Sequence, residues 1–206
     1  MAPPANNKTM LRGRFITFYG INNIGKSTHA RILCDRLKKE GYEPVYLKYP
    51  IYDMEPSGPY LNKILREGKQ EISEEELQLW FVINRYQFEP TLKKYLSEGK
   101  TVISEDYVGT GIAWGVTKGA NEQWLEEINK NLLKPDLSIM IDGVREVLAV
   151  EKGHIHETND ELMQKSRKVH LNLAKKYTWN VIKLQPHKEE TAKLVWETVK
   201  DFWDLD

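Results

Sequence analysis

Short runs of apolar residues alternate along the chain with longer stretches in which apolar residues recur at every third or fourth position. The short runs are typical of buried strands, and the longer spacing is typical of amphipathic helices. Because helical stretches separate the strands, the pattern predicts an α/β fold with a five-stranded parallel sheet flanked by helices. The predicted strands occupy residues 14–19, 44–48, 101–104, 136–141 and 179–184.

One predicted helix is much longer than the others. It begins after Ser73, where Ser73 and Glu76 have the spacing of a capping box, and it extends to about Tyr95. Residues 77–83 of this helix are apolar nearly all the way round. Such a helix has to be covered on more than one side, either by the core or by a second subunit.

A phosphate-binding sequence follows the first predicted strand directly. Residues 20–27 read G-x-x-x-x-G-K-S, and a predicted helix comes next. Glycines in such a loop let the backbone N–H groups converge on phosphate oxygens, while Lys26 reaches the terminal phosphates and Ser27 holds Mg²⁺. We therefore predict an ATP site formed by Gly20, Asn22, Asn23, Ile24, Gly25, Lys26, Ser27 and Thr28.

Composition narrows the class of protein. Of the 206 residues, 30 are Lys or Arg and 30 are Asp or Glu, which argues against a nucleic-acid binder. The single cysteine, Cys34, excludes an intramolecular disulfide, and no run approaches the roughly 20 apolar residues of a membrane span. We expect a flexible tail at residues 1–12, one domain over residues 13–206, and a soluble, cytoplasmic protein that does not bind membranes.

The second ligand is expected beside the triphosphate, because ligands of open α/β sheets bind at the carboxyl ends of the strands. Phe81 and Arg85 share one face of the long helix, so they could stack on a planar base and bind its edge. A core Phe beside a surface Arg is the alternative interpretation. The residues that follow the second and third strands complete the candidates: Lys48, Tyr49, Pro50 and Tyr52, then Glu105, Asp106, Tyr107, Thr110 and Gly111.

Taken together, these segments resemble the thymidylate kinase family. The resemblance implies a P-loop nucleoside monophosphate kinase fold and phosphoryl transfer from ATP to dTMP with Mg²⁺, giving dTDP and ADP. It also implies a homodimer formed through the helix around residues 77–85. The motifs that carry it are residues 20–28, Tyr49-Pro50, Phe81-x-x-Asn84-Arg85, Tyr107-x-x-x-x-x-Ala113-Trp114 and residues 132–137.

The resemblance also assigns roles to individual residues. Phe81 would stack on thymine, Arg85 would contact its edge, Trp114 would lie near the sugar, and Asn22 would bind the 3′-hydroxyl. Ser27 and Glu105 would serve the metal. The catalytic set is Lys26, Glu105 and Lys152, and the set that binds the acceptor is Asn22, Lys48, Tyr52, Phe81, Arg85, Asp106, Tyr107, Thr110, Gly111 and Trp114.

The chain departs from the family pattern where the acceptor phosphate would bind. The family's D-R-Y reads Glu105-Asp106-Tyr107 here, and its F-P-x-R ends in Tyr52. Two arginines are thus missing, and Lys48, Tyr52 and Arg85 are the candidate replacements. The lid expected near residues 151–158 also lacks arginine, which leaves Lys152 as a point charge.

Two other functions are compatible with the residues. A deoxynucleoside kinase acting on thymidine needs no clamp for an acceptor phosphate, so the missing arginines would be explained. A weakly catalytic nucleotide-binding protein would also tolerate their loss, although the intact Lys26 and Ser27 argue against it.

Overall fold

A computed structural model describes residues 13–66, 71–143 and 157–203, except for the side chains of residues 157–159. It contains a five-stranded sheet in the order β2-β3-β1-β4-β5, and all paired strands are parallel. All five predicted strands are confirmed, with ends that differ by no more than one residue. They are β1 (Phe15–Tyr19), β2 (Pro44–Lys48), β3 (Thr101–Glu105), β4 (Leu137–Asp142) and β5 (Asn180–Lys183).

Helices cover both faces of the sheet. The helices are α1 (Lys26–Lys39), α2 (Ser57–Arg66), α3 (Glu74–Ser97), α4 (Val108–Thr117), α5 (Glu122–Asn129), α6 (Glu157–Lys176) and α7 (Lys188–Trp203). Side chains alternate between the faces of a strand, so Ile16 and Phe18 of β1 pack against α1 and α7. Phe15 and Tyr19 point the other way, into a core shared with α3 and α6. Strand β1 is therefore buried along its whole length.

The long helix α3 begins and ends close to the predicted positions. The Ser73 side chain caps it by accepting a hydrogen bond of 3.1 Å from the backbone N–H of Glu76. Its apolar circumference is only partly covered within one chain. Leu79, Ile83 and Tyr86 remain 43%, 41% and 40% exposed, so one apolar face of α3 is open to solvent.

Some predicted features lie outside the described residues. They are the tail at residues 1–12, Lys152, and the predicted lid apart from residues 157–158, where α6 begins. Within the described residues, no helix combines the length and apolar character that crossing a membrane requires.

Candidate active site

The phosphate loop, residues 20–28, connects β1 to α1 at the carboxyl edge of the sheet. Its backbone turns through the left-handed region at Gly20, Asn23 and Gly25, with φ of 134°, 61° and 96°. Asn tolerates this region better than most residues that carry a side chain. At Gly20 a Cβ would lie 2.5 Å from the carbonyl oxygen of Ile141, so the close approach to β4 also requires glycine.

The ammonium group of Lys26 lies inside this loop. Its Nζ donates hydrogen bonds of 3.0 Å each to the carbonyl oxygens of Gly20 and Ile21. The same Nζ is 3.4 Å from Oδ1 of Asp106, which follows β3. Lys26 is buried, and these contacts hold its ammonium group inside the loop.

Glu105, at the end of β3, is a fully buried carboxylate with several donors around it. Ser27 Oγ and Tyr46 Oη donate at 2.8 Å, and Lys48 Nζ lies 2.7 Å from Oε1. Burial raises the pKa of Glu105, but the hydrogen bonds from Lys48, Tyr46 and Ser27 outweigh it and hold the pKa below its usual value. Glu105 is therefore ionised and in direct contact with Ser27 of the loop.

Asp106 introduces a second carboxylate next to Glu105. Its backbone is left-handed, with φ of 61°, and Oδ1 accepts a hydrogen bond of 3.1 Å from Oγ1 of Thr110. Burial raises the pKa of Asp106, and the charge of Glu105 acts in the same direction, while Lys26 opposes both. A carboxyl group therefore lies beside Lys26 at the position where the resemblance to the family implies an arginine.

These groups open into one cavity of about 760 Å³, the first cavity, between the phosphate loop and helices α3 and α4. Most of the predicted site residues line it. They are Asn22, Asn23, Gly25, Lys26, Ser27, Thr28, Lys48, Tyr52, Phe81, Arg85, Glu105, Asp106, Thr110, Gly111 and Trp114. A cavity of this size is typical of a site for small molecules.

The sequence matches the profile of a known protein family over most of its length. The thymidylate kinase family profile matches residues 18–195, a range that contains every residue lining the first cavity. The chain belongs to the thymidylate kinase family. Such a member is an ATP-dependent nucleoside monophosphate kinase, and the family's reaction is the phosphorylation of dTMP to dTDP.

Individual relatives agree with this assignment. Over 173 residues the chain is 31% identical to a protein of Invertebrate iridescent virus 6 named as a thymidylate kinase, covering 83% of this chain and 80% of the relative. A Thermococcus onnurineus relative is 32% identical over 180 residues, covering 79% and 85%. The thymidylate kinase structure from Candida albicans superposes with a TM-score of 0.74 at 24% identity, covering 92% of each chain, which supports the shared fold.

In this thymidylate kinase fold, Arg85 of α3 is buried at the wall of the first cavity. Nη1 donates to Oδ1 of Asn129 at 3.0 Å, Nη2 donates to the carbonyl oxygen of Tyr107 at 3.3 Å, and Nε has no partner among the described residues. Burial lowers the pKa of Arg85, although a guanidinium stays charged in proteins. The core-Phe, surface-Arg interpretation is wrong, because Arg85 is buried and Phe81 lines the cavity.

Of the predicted site residues that the structure describes, three do not line the first cavity. Gly20 contributes the backbone turn of the loop, and the side chain of Ile24 is buried in the hydrophobic core. Tyr107 is also fully buried, because its ring packs edge-on against Phe15 at a centroid distance of 5.1 Å. The predicted role of Tyr107 in binding the acceptor stays a prediction. Tyr107 reaches the site only through its backbone carbonyl, which orients Arg85.

Several residues of the site had no assigned role from the sequence. Asn84, the second constant position of the F-x-x-N-R motif, holds the segment after β2 by exchanging hydrogen bonds of 2.8 and 2.9 Å with the backbone of Ile51. Tyr46 anchors Glu105. Glu74, Gln78 and Lys118 line a polar end of the first cavity, where Gln78 donates to Glu74 at 2.7 Å.

Proposed function

We propose that the first cavity carries out the family reaction with ATP on the phosphate loop and dTMP between α3 and α4. One observation carries this assignment. The loop and the wall that contains Phe81, Arg85 and Trp114 line the same cavity, so donor and acceptor can meet without any change of fold. Phosphoryl transfer requires in-line positioning and positive charge more than covalent participation by the protein.

For the base and the sugar, the proposed contacts follow the walls of the cavity. Phe81 of α3 offers an aromatic face for thymine, and Arg85 one turn further along offers donors to its edge. Trp114 on α4 lies on the same cavity and would exclude a 2′-hydroxyl. Asn22, exposed on the loop, would bind the 3′-hydroxyl.

For the acceptor phosphate, Lys48 and Tyr52 are the proposed replacements for the missing arginines. Both side chains line the first cavity. Burial lowers the pKa of Lys48, but the contact with Glu105 outweighs this effect, so the pKa of Lys48 is raised and its ammonium group stays charged. Asp106 opposes binding, because a carboxylate repels a phosphate. We therefore propose that this chain binds dTMP more weakly than a relative that has both arginines.

For the metal, Ser27 and Glu105 fit Mg²⁺, and we propose them as its ligands, Glu105 through water. Their oxygens are 2.8 Å apart and both side chains line the first cavity, which suits an ion that takes few protein ligands alongside phosphate oxygens and water. When bound, Mg²⁺ would neutralise charge on the triphosphate. Lys152, the remaining catalytic candidate, is proposed on its sequence position alone.

For assembly, we propose a homodimer through the open face of α3. Leu79 and Ile83 on this face are large, apolar and exposed, and a partner copy would cover them. We further propose a cytoplasmic location, in keeping with the buried, unpaired Cys34.

The decisive experiment follows ADP release from ATP and Mg²⁺ against dTMP, dUMP, dCMP, dGMP, AMP and thymidine. We expect turnover to be fastest with dTMP, and to be lost in Lys26→Ala. If no monophosphate is turned over, the proposal is refuted. Turnover of thymidine without turnover of dTMP would instead favour a deoxynucleoside kinase.

A further inference from the structure

A second cavity of about 440 Å³ lies outside the site assigned above. Its walls come from β1, β4, α4, α5, the segment before β4, and the segment around Trp179 that joins α6 to β5. The volume falls within the range of small-molecule sites. None of the predicted functions uses it.

Arg85 and its two hydrogen-bond acceptors lie between the two cavities. Arg85 lines the first cavity, while both of its acceptors, Asn129 and Tyr107, line the second. Both acceptor oxygens are neutral, and no carboxylate among the described residues forms an ion pair with this guanidinium. The position of Arg85 therefore depends on two groups that a ligand in the second cavity would touch.

The walls of the second cavity favour a flat aromatic ligand. Four aromatic residues line it, and Trp179 stacks on both Tyr19, at a centroid distance of 4.2 Å, and Tyr177, at 6.0 Å. Gly109 admits the indole, since a Cβ there would lie 2.6 Å from Cη2 of Trp179. The buried hydroxyl of Tyr107 has no partner among the described residues, so an unused polar group also faces this part of the core.

The charges of the second cavity favour an anionic substituent on that ligand. Three lysines and one glutamate line it. The glutamate, Glu126, already accepts hydrogen bonds from Lys176 and Tyr177. Lys130 pairs with Glu127 outside the cavity. Lys134, which is exposed at the rim, forms no ion pair among the described residues and can meet a ligand carboxylate.

We propose that the second cavity binds a planar aromatic carboxylate, and that this ligand changes the affinity for dTMP through Asn129 and Arg85. The ligand would lie against this aromatic wall with its carboxylate at Lys134. Contact with Asn129 would alter the bond that holds Arg85, and so alter the acceptor site. The coupling rests on the proposed role of Arg85 in binding dTMP, whereas the second cavity itself does not.

Naphthalene-2-carboxylate serves as the probe, measured by isothermal titration calorimetry without nucleotide. We expect saturable binding of one probe per chain. Lys134→Ala should weaken it at least threefold, and Leu133→Trp, which fills the cavity, at least tenfold. Lys175→Ala, an exposed lysine of α6 away from the cavity, should leave it unchanged. No saturable binding, or binding unaffected by both cavity variants, would overturn the proposal.

The coupling is tested by titrating dTMP with and without saturating probe. We expect the Kd of dTMP to shift at least threefold, and the Kd of the probe to shift by the same factor when dTMP is saturating, because linkage is reciprocal. In Asn129→Ala the probe should still bind while the two Kd values become independent. Independent values in the wild type would refute the coupling. Probe binding without any dTMP binding would instead refute the acceptor site and support the second cavity.

Discussion

A Cβ on Gly111 would lie 2.4 Å from Nη2 of Arg85, so the guanidinium fills the space that any larger residue at position 111 would need. Gly111→Ala should therefore displace Arg85 and raise the KM for dTMP about tenfold, since charged hydrogen bonds are worth about 1.5–3 kcal/mol. The KM for ATP should not change. Steady-state kinetics with each substrate varied would check this, and an unchanged KM for dTMP would contradict it.

Tyr46 should act as a positioning residue for Glu105. Tyr46→Phe removes one donor at 2.8 Å from a fully buried carboxylate, which frees Glu105 to leave Ser27. We expect the Mg²⁺ concentration for half-maximal activity to rise about fivefold, in line with a net hydrogen-bond value of about 1 kcal/mol. Tyr42→Phe, which changes a tyrosine that stacks on Trp203 elsewhere, is the control. Equal Mg²⁺ requirements in all three proteins would disprove the role.

Asp106→Asn should improve binding of the acceptor. Asn tolerates the left-handed backbone at this position and can still accept a hydrogen bond from Thr110, but it removes the charge that repels a phosphate. The KM for dTMP should fall by about threefold to tenfold, which corresponds to about 1 kcal/mol for the loss of one repulsive contact at a mostly buried side chain. A loss of kcat instead would show that Asp106 has a positive catalytic role.

His170 makes the stability of the fold sensitive to acid. Burial lowers its pKa from 6.5 to about 4, so the unfolded chain binds a proton more readily than the folded one. The stability present above pH 6.5 is therefore lost as the pH falls toward 4, by about 2 kcal/mol at pH 5. Urea unfolding at pH 5 and 7.5 should show that His170→Gln loses less stability than the wild type by this amount. Equal losses would rule out His170 as the cause.

The open face of α3 supplies a test of the proposed dimer. Ile83→Glu places a charge on a face that a partner copy would cover, so light scattering should detect a monomer where the wild type gives a dimer. Glu75→Lys at the exposed start of the same helix is the control, and it should remain dimeric. A monomeric wild type would refute the proposal.

Features that depend on local sequence were predictable. The phosphate loop was predictable because its glycines, Lys26 and Ser27 all lie in residues 20–27. The strand ends were predicted correctly to one residue because buried parallel strands are short apolar runs. The Ser73 cap followed from its spacing to Glu76. Each of these elements is specified by residues a few positions apart.

Contacts between distant elements were not predictable in the same way. Lys48 reaches Glu105 because β2 pairs with β3 in a register that places the two residues opposite each other, and the sequence carried no signal for that strand order. Arg85 bonds Asn129, which lies 44 positions further along the chain. Tyr107 was assigned to the acceptor by motif, but the motif does not reveal which way its ring points.

The charged groups at the phosphate loop bond to the protein's own atoms. Lys26 bonds two backbone carbonyls, and Glu105 accepts from Ser27, Tyr46 and Lys48. An incoming nucleotide must therefore exchange these bonds rather than simply add new ones. Binding at this loop is thus an exchange of partners, which limits the net free energy that any single phosphate contact contributes.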